Sequence, residues 1–273
     1  MLTKTINAEV FIEELSTSGS YPSKVECSDG HMYIVKHSQQ NRNYLHLINE
    51  FIGSHLAKLA NINIPDFALI RLIDEVFPPT YHYQLGKPNG LGFGSQFLSN
   101  TSKNLVVFHK SNFTKLTGIT LHDISKDLID ICVYDTWVMN SDRSVNNTNL
   151  LLHESSSNIK LVAIDQASIF YGLSYKLLVK EKTENLSVGD TLVYSDLFSS
   201  IYEKVGIFFE VYKNIALDNI KSISDNKIKD VVDSVPNDWH ITSSDKNNII
   251  GFLIYRKNSI EKFFNNVLTN AGF

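Results

Sequence analysis

The segment NSDRSVNNTN (Asn140–Asn149) is almost wholly polar, yet VYDTWVM (Val133–Met139) precedes it and LLL (Leu150–Leu152) follows it. Both flanks read as buried structure. A polar insert pinned between two pieces of core has little freedom, so the chain must fold around it as a fixed loop. Asn, Asp and Ser suit connecting turns by themselves. Whether the loop is a turn or a place where chemistry occurs therefore depends on what the rest of the chain brings to it.

The bulk properties narrow the choice. The chain has 273 residues, 43% of them hydrophobic and 20% charged, which supports one large or two-lobed globular unit with a substantial core. A net charge of −4 argues against a protein that binds nucleic acid through broad electrostatics. Cys27 and Cys132 lie far apart in apolar surroundings and form neither a disulfide framework nor a metal spacing. Inert thiols in a reducing cytosol are the expectation. No apolar run reaches the roughly 18 residues a membrane span needs. The opening MLTKTINAEVFIEEL carries acids inside its apolar run and lacks a cleavage site, so a soluble cytoplasmic protein is expected.

The periodicity changes along the chain. NAEVFIEEL alternates as a half-buried strand does, and a loop of Ser16–Ser23 follows. KVEC and HMYIVK flank Asp29-Gly30, a hairpin signal. From Leu45 to Leu59 an apolar stripe at helical spacing appears, stopped before Pro65, and FALIRLI (Phe67–Ile73) is strand-like again. The Pro- and Gly-rich stretch Phe77–Ser95 reads as a separator. Beyond it come a helix over Asp123–Met139, a strand pair in NLLLHE and IKLVAID, and helices after Ser195 punctuated by VPNDWHI. The expected class is α+β. Residues 1–98 form a small β-rich lobe with one helix, and residues 99–273 form a larger, mostly helical lobe.

This layout holds every part that phosphoryl transfer from a nucleotide requires, where catalysis is mainly placement and charge neutralisation. Lys36 closes an apolar strand and can reach into a cleft while its stem stays packed. Taken alone it is more simply an edge-strand lysine. Glu50, among apolar residues of the following helix, is its candidate counter-ion. Asp142 is a candidate base, and Asn147 lies five residues on. Arg143 can stabilise either the loop or phosphate charge. Asp165 ends the apolar run IKLVAID, an unfavourable place for an unpaired charge. A hard cation held by Asn147 and Asp165 would resolve it, with a helix cap as the plainer alternative.

Several stretches together resemble the HipA-like kinases, and more closely the compact branch without the long N-terminal extension of HipA. They are TSGSYPSKV, MYIVK, LINEFIGSHLAKLANINIPD, GFGSQFL, DTWVMNSDRSVNNTNLLL, LVAID, VPNDWH and FLIYRKNSIEKF, spanning roughly Phe11 to Phe263. The resemblance implies a bilobal protein-kinase-like fold that uses ATP and Mg²⁺, with an unidentified Ser/Thr protein as substrate. It implies that Lys36 contacts ATP phosphates, that Glu50 pairs with it, that Asp142 is the base, and that Asn147 and Asp165 bind Mg²⁺. It further implies that the loop with Ser18, Gly19 and Ser20 lies over the phosphates, and that Gln96, Phe97 and Leu98 meet adenine. Ser16, Ser18 and Ser20 become candidate autophosphorylation sites. An antitoxin or adjacent-gene partner protein is also implied.

Two departures from the kinase pattern stand out: there is no Gly-x-Gly-x-x-Gly, and Gln166-Ala167 rather than Phe-Gly follows Asp165. Two alternatives therefore stand beside the protein kinase. One is a small-molecule kinase of the aminoglycoside or choline kinase type, for which Asp123, Asp127 and Asp130 could supply an acidic acceptor pocket. On a helix these three more simply form a solvated face. The other is a nucleotide-binding pseudokinase that acts as an interaction module.

Overall fold

The computed structural model describes residues 3–15, 21–38, 44–79, 88–98, 101–102, 118–154, 159–179 and 191–273. Five N-terminal strands close on themselves in the order β1-β2-β3-β5-β4. They are β1 (Thr5–Glu14), β2 (Ser23–Cys27), β3 (Met32–Lys36), β4 (Phe67–Leu72) and β5 (Gly90–Gln96). The Asp29-Gly30 turn joins β2 to β3 as expected, with Gly30 at φ +78° and Asp29 accepting from the Tyr33 hydroxyl at 3.0 Å. Closure comes from parallel pairing of β1 with β4, where Thr5 faces Leu69 and Ile6 faces Ile70. Every second residue along the strands points inward, so Ile6, Val25, Tyr33, Val35, Ala68 and Ile70 fill the barrel.

The stretch Phe77–Ser95 is not simply a separator, because it contains β5. Its glycines admit the strand to a narrow barrel. A Cβ on Gly94 would lie 2.5 Å from Ile70 Cγ1, and one on Gly92 would lie 2.7 Å from the Lys36 carbonyl oxygen. Composition that normally marks a loop here marks close approach of strands.

The stripe from Leu45 to Leu59 is helix α1 (Leu45–Leu59). Burial runs right round it from Leu47 to Ala57, with Asn49, Glu50, Ser54 and His55 included. The helix lies between the barrel and the rest of the chain, and Leu47, Phe51, Ile52 and Leu56 join the larger, C-terminal core. Asn61 ends it in the left-handed region at φ 60°.

Short strand β6 (Thr101–Ser102) pairs with β7 (Leu150–Glu154), which pairs with β8 (Ile159–Ala163). Helix α2 (Gly118–Val138) starts five residues before the expected Asp123 and ends one before Met139. After it come α3 (Asp196–Val205), α4 (Phe208–Lys221), α5 (Asp225–Asp233), α6 (Ser243–Asn258) and α7 (Ile260–Ala271). Because α2 packs against both β8 and α4, the expected solvated face of Asp123, Asp127 and Asp130 is not formed. Only Asp123 is exposed; Asp127 accepts the Leu161 amide at 3.0 Å, and Asp130 is buried beside Lys126 at 2.5 Å.

One contact ties the barrel to the C-terminal half, and another fixes two helices within that half. Trp239, in the turn between α5 and α6, donates from Nε1 to the Leu91 carbonyl of β5 at 3.0 Å. Arg256 on α6 donates to the Thr136 and Trp137 carbonyls at 2.6 and 2.9 Å, which places a cation at the negative end of α2. The loop Asn140–Asn149 springs from that capped end. Among the described residues no helix is long and apolar enough to cross a membrane.

Candidate active site

Three separate elements deliver one ionic cluster. The Lys36 ammonium at the end of β3 lies 2.7 Å from Glu50 Oε2 on α1 and 2.6 Å from Asp165 Oδ1, two residues beyond β8. Burial alone would depress the lysine, but the two carboxylates outweigh it and raise its pKa. Burial raises Glu50 above the usual carboxylate range against the opposing pull of Lys36. At Asp165 burial acts in the same sense, yet Lys36 prevails and its carboxyl titrates below the usual range. The second Glu50 oxygen accepts the Gln166 amide at 3.0 Å, so one carboxylate grips both the lysine and the chain after Asp165.

Asp165 has φ 57°, a conformation that aspartate tolerates better than most residues. Its Oδ1 accepts the Ala167 amide at 3.3 Å and closes a side-chain turn over the left-handed backbone. On α1, Asn49 donates to the Ala167 carbonyl at 2.9 Å and accepts from the Tyr175 hydroxyl at 2.8 Å. The segment after Asp165 is thereby fastened to the same helix that carries Glu50.

The polar insert is a tied loop. Asp142 Oδ1 accepts from the Asn147 side-chain amide at 2.9 Å, and Oδ2 accepts from that of Asn149 at 2.8 Å. The Asp142 amide donates to Asn140 Oδ1 at 3.1 Å. Ile164 donates its amide to the Asn149 carbonyl at 2.9 Å, so the end of this loop abuts the residue before Asp165. Asp142 and Asn147 are thereby tied to each other, in a loop whose last residue is joined to the neighbour of Asp165.

Arg143 points the other way. Its side chain is fully enclosed, paired with Asp135 of α2, and donates to the Ile164 carbonyl at 2.9 Å and to Gln166 Oε1 at 3.4 Å. Burial raises the Asp135 carboxyl against the opposing Arg143 guanidinium. Of the two roles left open for Arg143, this geometry serves the loop and leaves no face for phosphate.

The donor set fits a hard cation carried with phosphates. Asn147 uses its amide nitrogen on Asp142, which leaves its carbonyl oxygen for a ligand. Asp165 is 31% exposed with Oδ1 engaged by Lys36. Among the described residues no group of three His, Cys, Asp or Glu forms a metal cage. One carboxylate and one amide oxygen suit Mg²⁺, which keeps waters and shares phosphate oxygens.

Ser18, Gly19 and Ser20, with Ser16, lie outside the described residues. At the expected hinge the Gln96 amide donates to the Asp66 carbonyl at 2.7 Å, and the Phe97 amide to that of Met32 at 2.8 Å. The Lys24 ammonium sits 4.0 Å from the Phe97 ring centroid. Both amides are thus engaged within the protein, so neither is free to donate to a ligand.

Residues 9–268 match the family model described as HipA-like kinase. The chain belongs to the HipA-like kinase family. Among solved structures, the Helicobacter pylori proinflammatory kinase CtkA is similar over 99% of this chain and 99% of its own, at 15% identity and a TM-score of 0.64. The shared fold is that of a kinase. More distant likenesses are HipA of Shewanella oneidensis MR-1, from a toxin–antitoxin complex with HipB and operator DNA, and the Golgi casein kinase with Mn/ADP bound. The first has 11% identity and a TM-score of 0.47 over 94% of this chain and 67% of the other. The second has 14% identity and the same score over 98% and 74%. No curated protein matches the chain by sequence.

Several residues of this candidate site escape a reading of the sequence. Asp135 is flanked by ICVY and TWVM, and the argument that singled out Asp165, a carboxylate in an apolar run, applies to it equally. Asn149 carries no signal that sets it apart from the other Asn residues of the loop, although it holds the second oxygen of Asp142. Asn49, Gln166 and Tyr175 carry no local signal, since their roles exist only between distant segments.

Proposed function

We propose that this protein is an ATP- and Mg²⁺-dependent kinase that phosphorylates serine or threonine on a protein. The observation that carries the reading is the Lys36 ammonium held between Glu50 and Asp165. A partly buried lysine gripped by a buried helix glutamate and a second, part-exposed carboxylate is an arrangement suited to nucleotide phosphates. Residues 1–98 and 99–273 are read as the two lobes that meet at this cluster.

In this reading Lys36 holds the phosphates and Glu50 keeps its ammonium in place. Asp142 accepts the proton of the attacking hydroxyl, fixed at both oxygens by Asn147 and Asn149. Asn147 and Asp165 would hold the cation, which would supply charge neutralisation at the phosphates. Adenine is met by Leu98 and by the carbonyls of Gln96 and Phe97. Arg143 is a positioning residue. A cytoplasmic location fits two buried free thiols, Cys27 and Cys132. An antitoxin-like partner protein is part of the reading through family membership alone.

Incubation with labelled ATP and Mg²⁺ tests the reading. Label on protein Ser or Thr supports it. Label passed only to a small acceptor favours a small-molecule kinase, and binding without turnover favours a pseudokinase.

A further inference from the structure

Phe170, Tyr171 and Gly172 follow one another in the left-handed region, at φ 64°, 56° and 63°. Glycine adopts this conformation freely, whereas a bulky L side chain does not. For Phe170 the penalty is offset inside the fold. Its ring is fully buried, with centroids 6.0 Å from Tyr175 and 5.6 Å from Phe252. Tyr171 has no such compensation, because its side chain is 42% exposed. The Tyr171 amide donates to the Met139 carbonyl at 2.8 Å, a backbone bond that glycine would keep. Among the described residues nothing inside the fold accounts for a tyrosine here.

Its position points to something outside the fold. Met139 opens the way into the loop that carries Asp142. Ser141 donates from both its amide and its hydroxyl to the Ser168 carbonyl, at 3.2 and 3.4 Å. Residues 168–171 are therefore laid along residues 139–141, immediately before the base. Val145, three residues beyond Asp142, is also 42% exposed. We propose that Tyr171 is an acceptor-recognition residue, whose ring, with Val145, contacts an apolar side chain beside the Ser or Thr hydroxyl of a polypeptide substrate. The strained backbone holds the ring preset for that contact. The assignment rests on the protein-kinase reading above.

The test uses the full chain, Mg-ATP and a positional peptide library with a fixed Ser or Thr, for wild type, Tyr171→Gly and Tyr171→Phe. Tyr171→Gly is expected to raise the melting temperature by about 2 °C, through relief of backbone strain. The thermal shift given by Mg-ATP should stay unchanged. Peptide kcat/KM should fall by about tenfold or more through KM, the preference for apolar flanking residues should flatten, and Tyr171→Phe should restore both. Wild-type transfer with unaltered rate and selectivity in Tyr171→Gly overturns the assignment alone, as does a lowered melting temperature. A wild type that binds Mg-ATP but labels no peptide overturns the protein-kinase reading first, and this assignment with it.

Discussion

Gly53 on α1 faces Gln166 so closely that a Cβ at position 53 would lie 2.6 Å from Gln166 Cβ. Gln166 also gives its amide to Glu50 and receives a hydrogen bond from Arg143. The absence of a side chain at 53 therefore lets the helix carrying the lysine's counter-ion approach the turn carrying Asp165. Gly53→Ala should destabilise the protein by about 1–3 kcal/mol through this overlap, although alanine improves helix propensity by about 1 kcal/mol. It should also weaken Mg-ATP binding. A calorimetric melt in which the alanine variant is the more stable would refute the contact.

Lys36→Met leaves Glu50 and Asp165 facing each other without their cation. Loss of about 3 kcal/mol of stability is expected, together with loss of Mg-ATP binding. Adding Glu50→Gln should recover part of the stability and none of the binding. Denaturant titrations with a parallel nucleotide titration check both halves of the expectation.

Asp142→Ala should lower phosphoryl transfer by about 10²–10⁴-fold, the range for loss of a general base. ATP affinity should stay within about tenfold, since the base acts in the transition state. Single-turnover rates and equilibrium binding, measured on the same preparation, separate the two quantities. Unchanged turnover removes Asp142 from the role.

Arg143→Ala strands Asp135 in the interior and should cost about 3–5 kcal/mol. Arg143 is fully enclosed, so Arg143→Ala/Asp135→Leu should regain much of that stability. A direct phosphate contact predicts otherwise: the double variant would then melt normally yet lose Mg-ATP affinity by more than tenfold. Thermal melts with and without Mg-ATP distinguish the two.

His55 gives a pH dependence. It is buried on α1 within hydrogen-bonding distance of Thr3, its ring 4.5 Å from Phe51, and burial lowers its pKa from 6.5 to about 4. Between those values the unfolded chain binds the extra proton, so stability rises with pH. The contribution is complete above pH 6.5 and is lost as pH falls towards 4, up to about 3 kcal/mol in all. His55→Gln removes this titration, so its stability should change less than wild type's between pH 7 and pH 4.5 in urea melts. Parallel curves for the two would show that His55 is not the group responsible.

Much of the site was legible because its members obey local rules. Lys36 closes an alternating strand, Glu50 lies on a periodic helix, and Asp165 ends an apolar run, each detectable within ten residues of chain. The insert around Asp142 was conspicuous for its flanks. What was not legible had no local signature. The glycines of β5 looked like linker because close strand approach and loop flexibility call for the same residue. Asp127 and Asp130 looked like a solvated face because the spacing of charges on α2 does not record that β8 and α4 cover it.

By itself, then, the order of residues determined most element types other than β5, a fixed polar loop after α2, and the chemical identity of the groups proposed for phosphoryl transfer. Periodicity and turn chemistry act over a few residues, and that is the range over which they can be read. Tertiary structure alone decided that Lys36 meets Asp165 across 129 positions, that Arg143 turns inward to Asp135, and that β1 closes the barrel on β4. Such contacts are settled by packing and by the cost of leaving a buried charge without a partner, quantities that belong to the assembled molecule.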